Sequence, residues 1–209
     1  MKPILFNAEM VCAILEGRKT VTRRVVKPQP PATAHVSKVR SDYGWSFWEG
    51  NPEKHYMKPP FQAGDILWVR ETWNCLPIPE PLRGTSKTYW YKADGAEPED
   101  KWRPSIHMPR EAARIFLRVT GVQVERLQDI TEKEAGAEGP RKAFEYNTQD
   151  GPVITLDEDG YFYFGFKALW NSTIKAKDLS HYGWEANPWV WVIEFERISK
   201  GEAVGRCAE

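Results

Sequence analysis

Lys19 and Thr22 stand three positions apart in the stretch Glu16-Gly17-Arg18-Lys19-Thr20-Val21-Thr22-Arg23-Arg24. An amine that takes a proton and a hydroxyl that gives one up are the two halves of an activated nucleophile, provided the lysine pKa falls from about 10.4 towards neutrality. A fall of about three units is about 4 kcal/mol of destabilisation of the ammonium, within reach of burial combined with nearby cations. Arg18, Arg23 and Arg24 are such cations. With Lys19 and Lys27 they place five positive charges in ten residues, and no acid follows Glu16 until Asp42. The chain as a whole balances 29 Lys and Arg against 29 Asp and Glu, so the excess is local, and clustered charge sets a local potential even at zero net charge. A phosphate or other polyanion would be drawn to it. The alternative is that basic residues after a helix simply complement its C-terminal dipole.

A third group of the right type, Glu138, comes late in Asp129-Ile130-Thr131-Glu132-Lys133-Glu134-Ala135-Gly136-Ala137-Glu138-Gly139. Thr131 with Glu134 forms a capping box and Gly139-Pro140 is a stop, so a short helix is predicted over 132 to 138. A carboxylate in the last turn faces the negative end of the dipole and costs about 0.3 to 1 kcal/mol. It calls for a cationic partner such as Lys19, or for open water.

The elements that must position these groups are legible in outline. Asn7 caps a helix over about 8 to 16 whose Val11, Ile14 and Leu15 share a face, and Gly17 sits where helices end left-handed. In a regular strand Lys19, Val21 and Arg23 would face one way and Thr20, Thr22 and Arg24 the other. Lys19 and Thr22 can therefore share a site only if the residues after Gly17 turn before the chain extends from Thr22 to Val26. Further strands are predicted at 3 to 6, at 66 to 71 with Trp68 on the Ile66 face, at 113 to 124 with a break at Gly121, and at 187 to 198 with Trp189, Trp191, Ile193 and Phe195 on one face. Residues 162 to 170 have helical spacing. Between these, Pro-rich or polar stretches at about 28–60, 74–104 and 140–162 read as insertions into a single domain. The first holds Tyr43 to Trp48 as a possible hairpin arm, and the second an acidic Glu97-Pro98-Glu99-Asp100.

Composition excludes several classes. Aromatic residues supply 13 % of the chain, ten of them tryptophan, which implies an aromatic core or an aromatic-lined cleft. Cys12, Cys75 and Cys207 make no C-x-x-C pair, and the four histidines show no ligand spacing, so neither a disulfide framework nor a metal site is indicated. No cofactor is implied. The N-terminal apolar run is too short for a signal peptide, and no apolar stretch of eighteen residues occurs, so a soluble cytoplasmic protein without membrane partners is expected.

The order helix, Gly-Arg-Lys-Thr-x-Thr-x-Arg, Gly-Asp-x-Leu strand, long strand, Ile-Thr-Glu-x-x-Ala helix and a strand reading Val-Ile-Glu-Phe resembles the ASCH domain family. That family is a branch of the PUA-like fold, an α+β architecture with a small β-barrel surrounded by short helices. The similarity covers segments 4–26, 61–73, 112–139 and 189–198, and the insertions are those of larger phage and prophage forms. The resemblance implies the activity of a small bacterial member, an N4-acetylcytidine amidohydrolase, with Lys19 as proton acceptor, Thr22 as nucleophile and Glu138 as proton donor. It further implies that Arg24 holds a substrate oxygen.

The expected function is therefore hydrolysis of a linear amide on N4-acylated cytidine or a related modified nucleoside. Arg18, Arg23 and Arg24 are the candidates for contacts to substrate, and Trp68 and Trp191 those for stacking a base. Two alternatives stand beside it: a non-catalytic module binding RNA or a modified nucleotide, and a ribonuclease using the same Lys/Thr/Glu cluster. The expected partner is a modified nucleoside or RNA, with no readout of double-stranded DNA. The oligomeric state is open.

Overall fold

The computed structural model describes residues 1–38, 44–49, 51–75, 88–95, 101–149 and 151–205. Tyr43, the acidic run Glu97 to Asp100 and Cys207 lie outside them. The elements are β1 (Lys2–Leu5), α1 (Ala8–Leu15), β2 (Val21–Val25), β3 (His35–Lys38), β4 (Trp45–Glu49), β5 (Asn51–Met57), β6 (Ile66–Arg70), β7 (Trp73–Cys75) and β8 (Tyr89–Tyr91). They continue with β9 (Phe116–Arg126), α2 (Glu132–Ala137), β10 (Ala143–Thr148), β11 (Gly151–Leu156), α3 (Phe162–Thr173), α4 (Leu179–Tyr182), β12 (Trp189–Ile198) and α5 (Lys200–Ala203). The architecture is mixed α+β, and its sheets are mostly not closed into a barrel. The chain divides into two compact units, to both of which β9 and β12 contribute residues.

One unit holds Met1–Gly17, Gly64–Arg118 and Glu196–Glu209. Here β1 runs parallel to β6, with Ile4 opposite Val69, and β6 pairs antiparallel with the first residues of β9, Trp68 opposite Phe116. The helix α1 starts where Asn7 accepts the Met10 N–H at 2.8 Å and gives way to Gly17 at φ 77°, a left-handed conformation that glycine adopts without strain. Trp68 packs into a core with Trp73, Tyr91, Met108 and Phe116. At 7 % exposure its indole is a core side chain, which corrects the expectation that it stacks a substrate base.

The other unit holds Arg18–Ala63 and Val119–Phe195, and carries every remaining candidate site residue. β2 pairs antiparallel with β12, Thr22 opposite Ile193 and Arg24 opposite Trp191. Within residues 28–60, β3, β4 and β5 form a three-stranded antiparallel meander. Its Phe47, fully buried, meets Trp189 and Trp191 edge-on, with ring centroids 5.5 and 6.4 Å apart. Trp191 is left 4 % exposed, so it too is a packed side chain here and not an open platform for a base. Within residues 140–162, β10 and β11 form a hairpin, Tyr146 opposite Val153. A second core joins Leu127, Ile130, Ala135, Phe166, Trp170, Trp184 and Val190 beneath α2 and α3. Strand β9 is continuous where a break was expected at Gly121, and the Glu194 carboxylate lies against that glycine.

Candidate functional site

The segment bearing Lys19 leaves the turn at Gly17 without regular structure and becomes strand at Val21. Two backbone bonds fix it: the Thr20 N–H donates to Ala137 O at the end of α2, and the Thr20 O accepts from the Phe195 N–H of β12, both at 2.9 Å. Meanwhile α2 is set by its complete capping box, in which Thr131 and Glu134 bond each other's backbone. Its C-cap is Glu138, followed by Gly139 at φ 78°.

These constraints bring Lys19 and Glu138 together. Lys19 Nζ lies 2.6 Å from Glu138 Oε2, 2.9 Å from the Glu138 carbonyl and 2.8 Å from the Val21 carbonyl, three acceptors for the three protons of an ammonium. The side chains are 0 % and 3 % exposed. Burial drives the Lys19 pKa below its ordinary value; the Glu138 charge and hydrogen bond oppose this, and Arg24 and then Arg23 add to it. The net direction is down, the one an amine base requires.

Arg23 holds the other carboxylate oxygen. Its Nη1 lies 3.3 Å from Glu138 Oε1, while its Nε donates to Glu125 Oε1 at 2.8 Å and its Nη2 sits 2.7 Å from the same oxygen. The Glu134 carboxylate is 3.7 Å from that Nη2, and the guanidinium lies 5.9 Å from the Phe166 ring centre. Burial pushes the Glu125 carboxyl up, and Arg23 opposes it. Arg24 interacts electrostatically with both Lys19 and Glu138, and burial pulls its guanidinium below the usual value. Thr22 is buried at 2 % exposure immediately before Arg23, on the Arg24 face of β2. Arg18 Nη1 donates to Gly139 O at 2.7 Å. Arg18 and Lys19 thus satisfy carbonyls at the C-terminus of α2, so dipole complementation and the charged cluster are one arrangement.

Lys19 and Arg23 therefore both meet Glu138, Arg24 acts on Lys19 and Glu138 through its charge, and Thr22 directly precedes Arg23 on the Arg24 face of β2. Glu125 and Glu134 are partners that sequence reasoning did not assign to the site. Glu134 was visible as a capping residue, whereas nothing in local spacing marks Glu125, 102 positions from Arg23. Arg18, next to Lys19, and Pro140, two positions after Glu138, line a cleft of about 620 Å³. Among the described residues no group of His, Cys, Asp or Glu is placed to hold a metal ion. No described helix is long and apolar enough to cross a membrane. Comparison with family models, with curated proteins and with solved structures found no match for the chain.

Proposed function

We propose that the protein is an amidohydrolase of N4-acylated cytidine or a related modified nucleoside, built on a PUA-like ASCH domain. The observation that carries this reading is the short, buried Lys19–Glu138 contact. With the proton on Nζ it is an ion pair; with the proton on Oε2 the neutral amine still donates to the Val21 and Glu138 carbonyls and accepts from the carboxylic acid. That second form supplies both the base and the acid an amide hydrolase needs.

In acylation the Thr22 oxygen attacks the amide carbonyl while Lys19 takes its proton, and Glu138 gives its proton to the departing N4 amine. The products are an acyl-threonine ester, an ammonium and a carboxylate. In deacylation Glu138 removes a proton from water as the hydroxyl adds to the ester carbonyl, and Lys19 returns a proton to Thr22. Free acid leaves, and both groups regain their starting forms. Arg23, braced by Glu125, holds the Glu138 carboxyl in place throughout. Arg24, on the Thr22 face of β2, is the candidate to stabilise charge developing on the carbonyl oxygen.

Incubation of the purified protein with a panel of acylated cytidines tests this. Acetate release from N4-acetylcytidine is expected, abolished in Thr22→Ala and Lys19→Ala while nucleoside binding persists. Absence of release across the panel, or undiminished release from Thr22→Ala, refutes it. The near-complete enclosure of Lys19 and Glu138 favours a second reading, a non-catalytic module for RNA or a modified nucleotide. Binding without turnover, falling steeply with salt, is its signature. Cleavage of labelled RNA that these substitutions abolish would instead identify a ribonuclease.

A further inference from the structure

The cleft beside the candidate site has a volume of about 620 Å³, within the range of about 300 to 1,000 Å³ typical of small-molecule sites. Arg18, Arg141, Lys142, Asp157, Glu158 and Phe162 are among its lining residues. Two of the stretches that form it are the ones that carry the buried pair, since Arg18 precedes Lys19 and Arg141 and Lys142 follow Glu138 by three and four positions. A ligand seated here is therefore held by the same chain segments that hold the proposed chemistry.

The charges in this cleft are arranged unusually. Asp157 and Glu158 stand in it with Arg141 and Lys142, yet among the described residues no carboxylate pairs with either cation. Asp157 spends Oδ1 on the Asp159 N–H at 2.8 Å, and its own N–H donates to Lys142 O at 3.0 Å. Lys142 Nζ is 5.4 Å from the Phe162 ring centre. Cations kept apart from available carboxylates remain open to an anion from outside, and Arg and Lys are the usual holders of phosphate oxygens. The carboxylates for their part accept hydroxyl protons, such as those of a sugar. A free nucleoside offers hydroxyls but no anion.

We propose that this cleft is a phosphate subsite of the same active site, so that the substrate is a nucleotide or a phosphodiester-linked residue of a single strand rather than a free nucleoside. The proposal takes the identity of the base from the amidohydrolase reading, and the phosphate from the cleft alone.

Binding of three probes decides it: N4-acetylcytidine, its 5′-monophosphate, and a single-stranded RNA hexamer containing one N4-acetylcytidine, each titrated calorimetrically at low and high salt. A phosphate-bearing probe is expected to bind about tenfold more tightly than the nucleoside, with an advantage that shrinks as salt rises. The advantage disappears in the double variant Arg141→Gln, Lys142→Gln, whose folding equilibrium constant falls by no more than about fivefold, about 1 kcal/mol, the loss of the Lys142 contact with the Phe162 ring, because neither residue makes an ion pair among the described residues. A tighter monophosphate identifies a mononucleotide substrate, and a tighter hexamer identifies a strand. Equal binding of nucleoside and phosphate probes, no binding of any probe, or a preference that survives the double variant overturns the proposal. Equal acetate release from nucleoside and monophosphate would remove the subsite and leave the chemistry. Phosphate-dependent binding with no acetate release from any probe would do the reverse.

Discussion

Removing either partner of the Lys19–Glu138 pair should destabilise the protein far more than removing both. Side chains at 0 % and 3 % exposure, 2.6 Å apart, are a fully desolvated pair, and deleting one partner of such a pair strands the other at a cost of about 3 to 5 kcal/mol. The two single variants differ in what they leave behind. In Lys19→Met the Glu138 carboxylate keeps Arg23 at 3.3 Å, so the loss belongs near 3 kcal/mol. In Glu138→Gln, Lys19 loses the two influences that raise its pKa, the Glu138 charge and hydrogen bond, and keeps burial, Arg24 and Arg23, all of which lower it. Its native pKa then falls further below its unfolded value of about 10.4. In the window between those two values the unfolded chain binds more protons, so stability rises with pH, by up to about 1.4 kcal/mol per unit for this group. Urea unfolding at pH 7 and pH 9.5 reads both effects. Glu138→Gln should gain stability as pH rises through that window, Lys19→Met should lack this gain, and the double variant Lys19→Met, Glu138→Gln should cost less than the sum of the singles by at least about 1 kcal/mol. Single losses below about 1 kcal/mol, or strict additivity, would refute the description of this contact as a buried, mutually dependent pair.

Three further expectations bear on separate parts of the molecule. Thr22→Ser should retain acetate release and Thr22→Ala should lose it, with both variants within about 2 kcal/mol of wild type in chemical unfolding, since only small groups change. Gly165→Ala in α3 should destabilise by more than about 2 kcal/mol although alanine is the better helix former by about 1 kcal/mol, because the new methyl would overlap the Arg141 carbonyl; a neutral or higher thermal midpoint would contradict that packing. In the other unit, Arg114 makes a two-point contact with the buried Glu71 at 2.9 Å, binds Asp94 at 2.8 Å and lies 3.9 Å over the Tyr91 ring. Burial raises the Glu71 pKa and Arg114 opposes it, so Arg114→Met should raise it further. The native state then holds its proton more tightly than the unfolded chain, and stability falls as pH rises from about 4.5 through the raised value. The variant should accordingly lose least at low pH and most at neutral pH by urea titration, and a pH-independent loss would count against this account.

The local elements around the site were legible because short-range chemistry fixes them. Asn7, Gly17, the Thr131–Glu134 box and Gly139 each act within one turn of chain, so the bounds of α1 and α2 could be read from residue types at fixed spacing. A carboxylate at the dipole's negative end calls for a cation or for open water, which made Lys19 one candidate partner for Glu138 before any coordinate. The α+β character was likewise readable from alternating and helical apolar patterns.

What periodicity could not settle was which partner covers each face. Alternation marks Trp68 and Trp191 as facing something apolar, and an apolar protein core and an apolar base are the same signal at that level. Only the packing of Phe47 against Trp191, and of Met108 and Phe116 with Trp68, decides for the core. Glu125 bracing Arg23 across 102 positions was equally hidden, because two charges so far apart along the chain leave no periodic trace. The residue types thus determined which acid, base and hydroxyl were available. The fold alone decided that Lys19 is stripped of water, and desolvation, a property of everything packed around a group rather than of the group itself, is what sets where its proton resides.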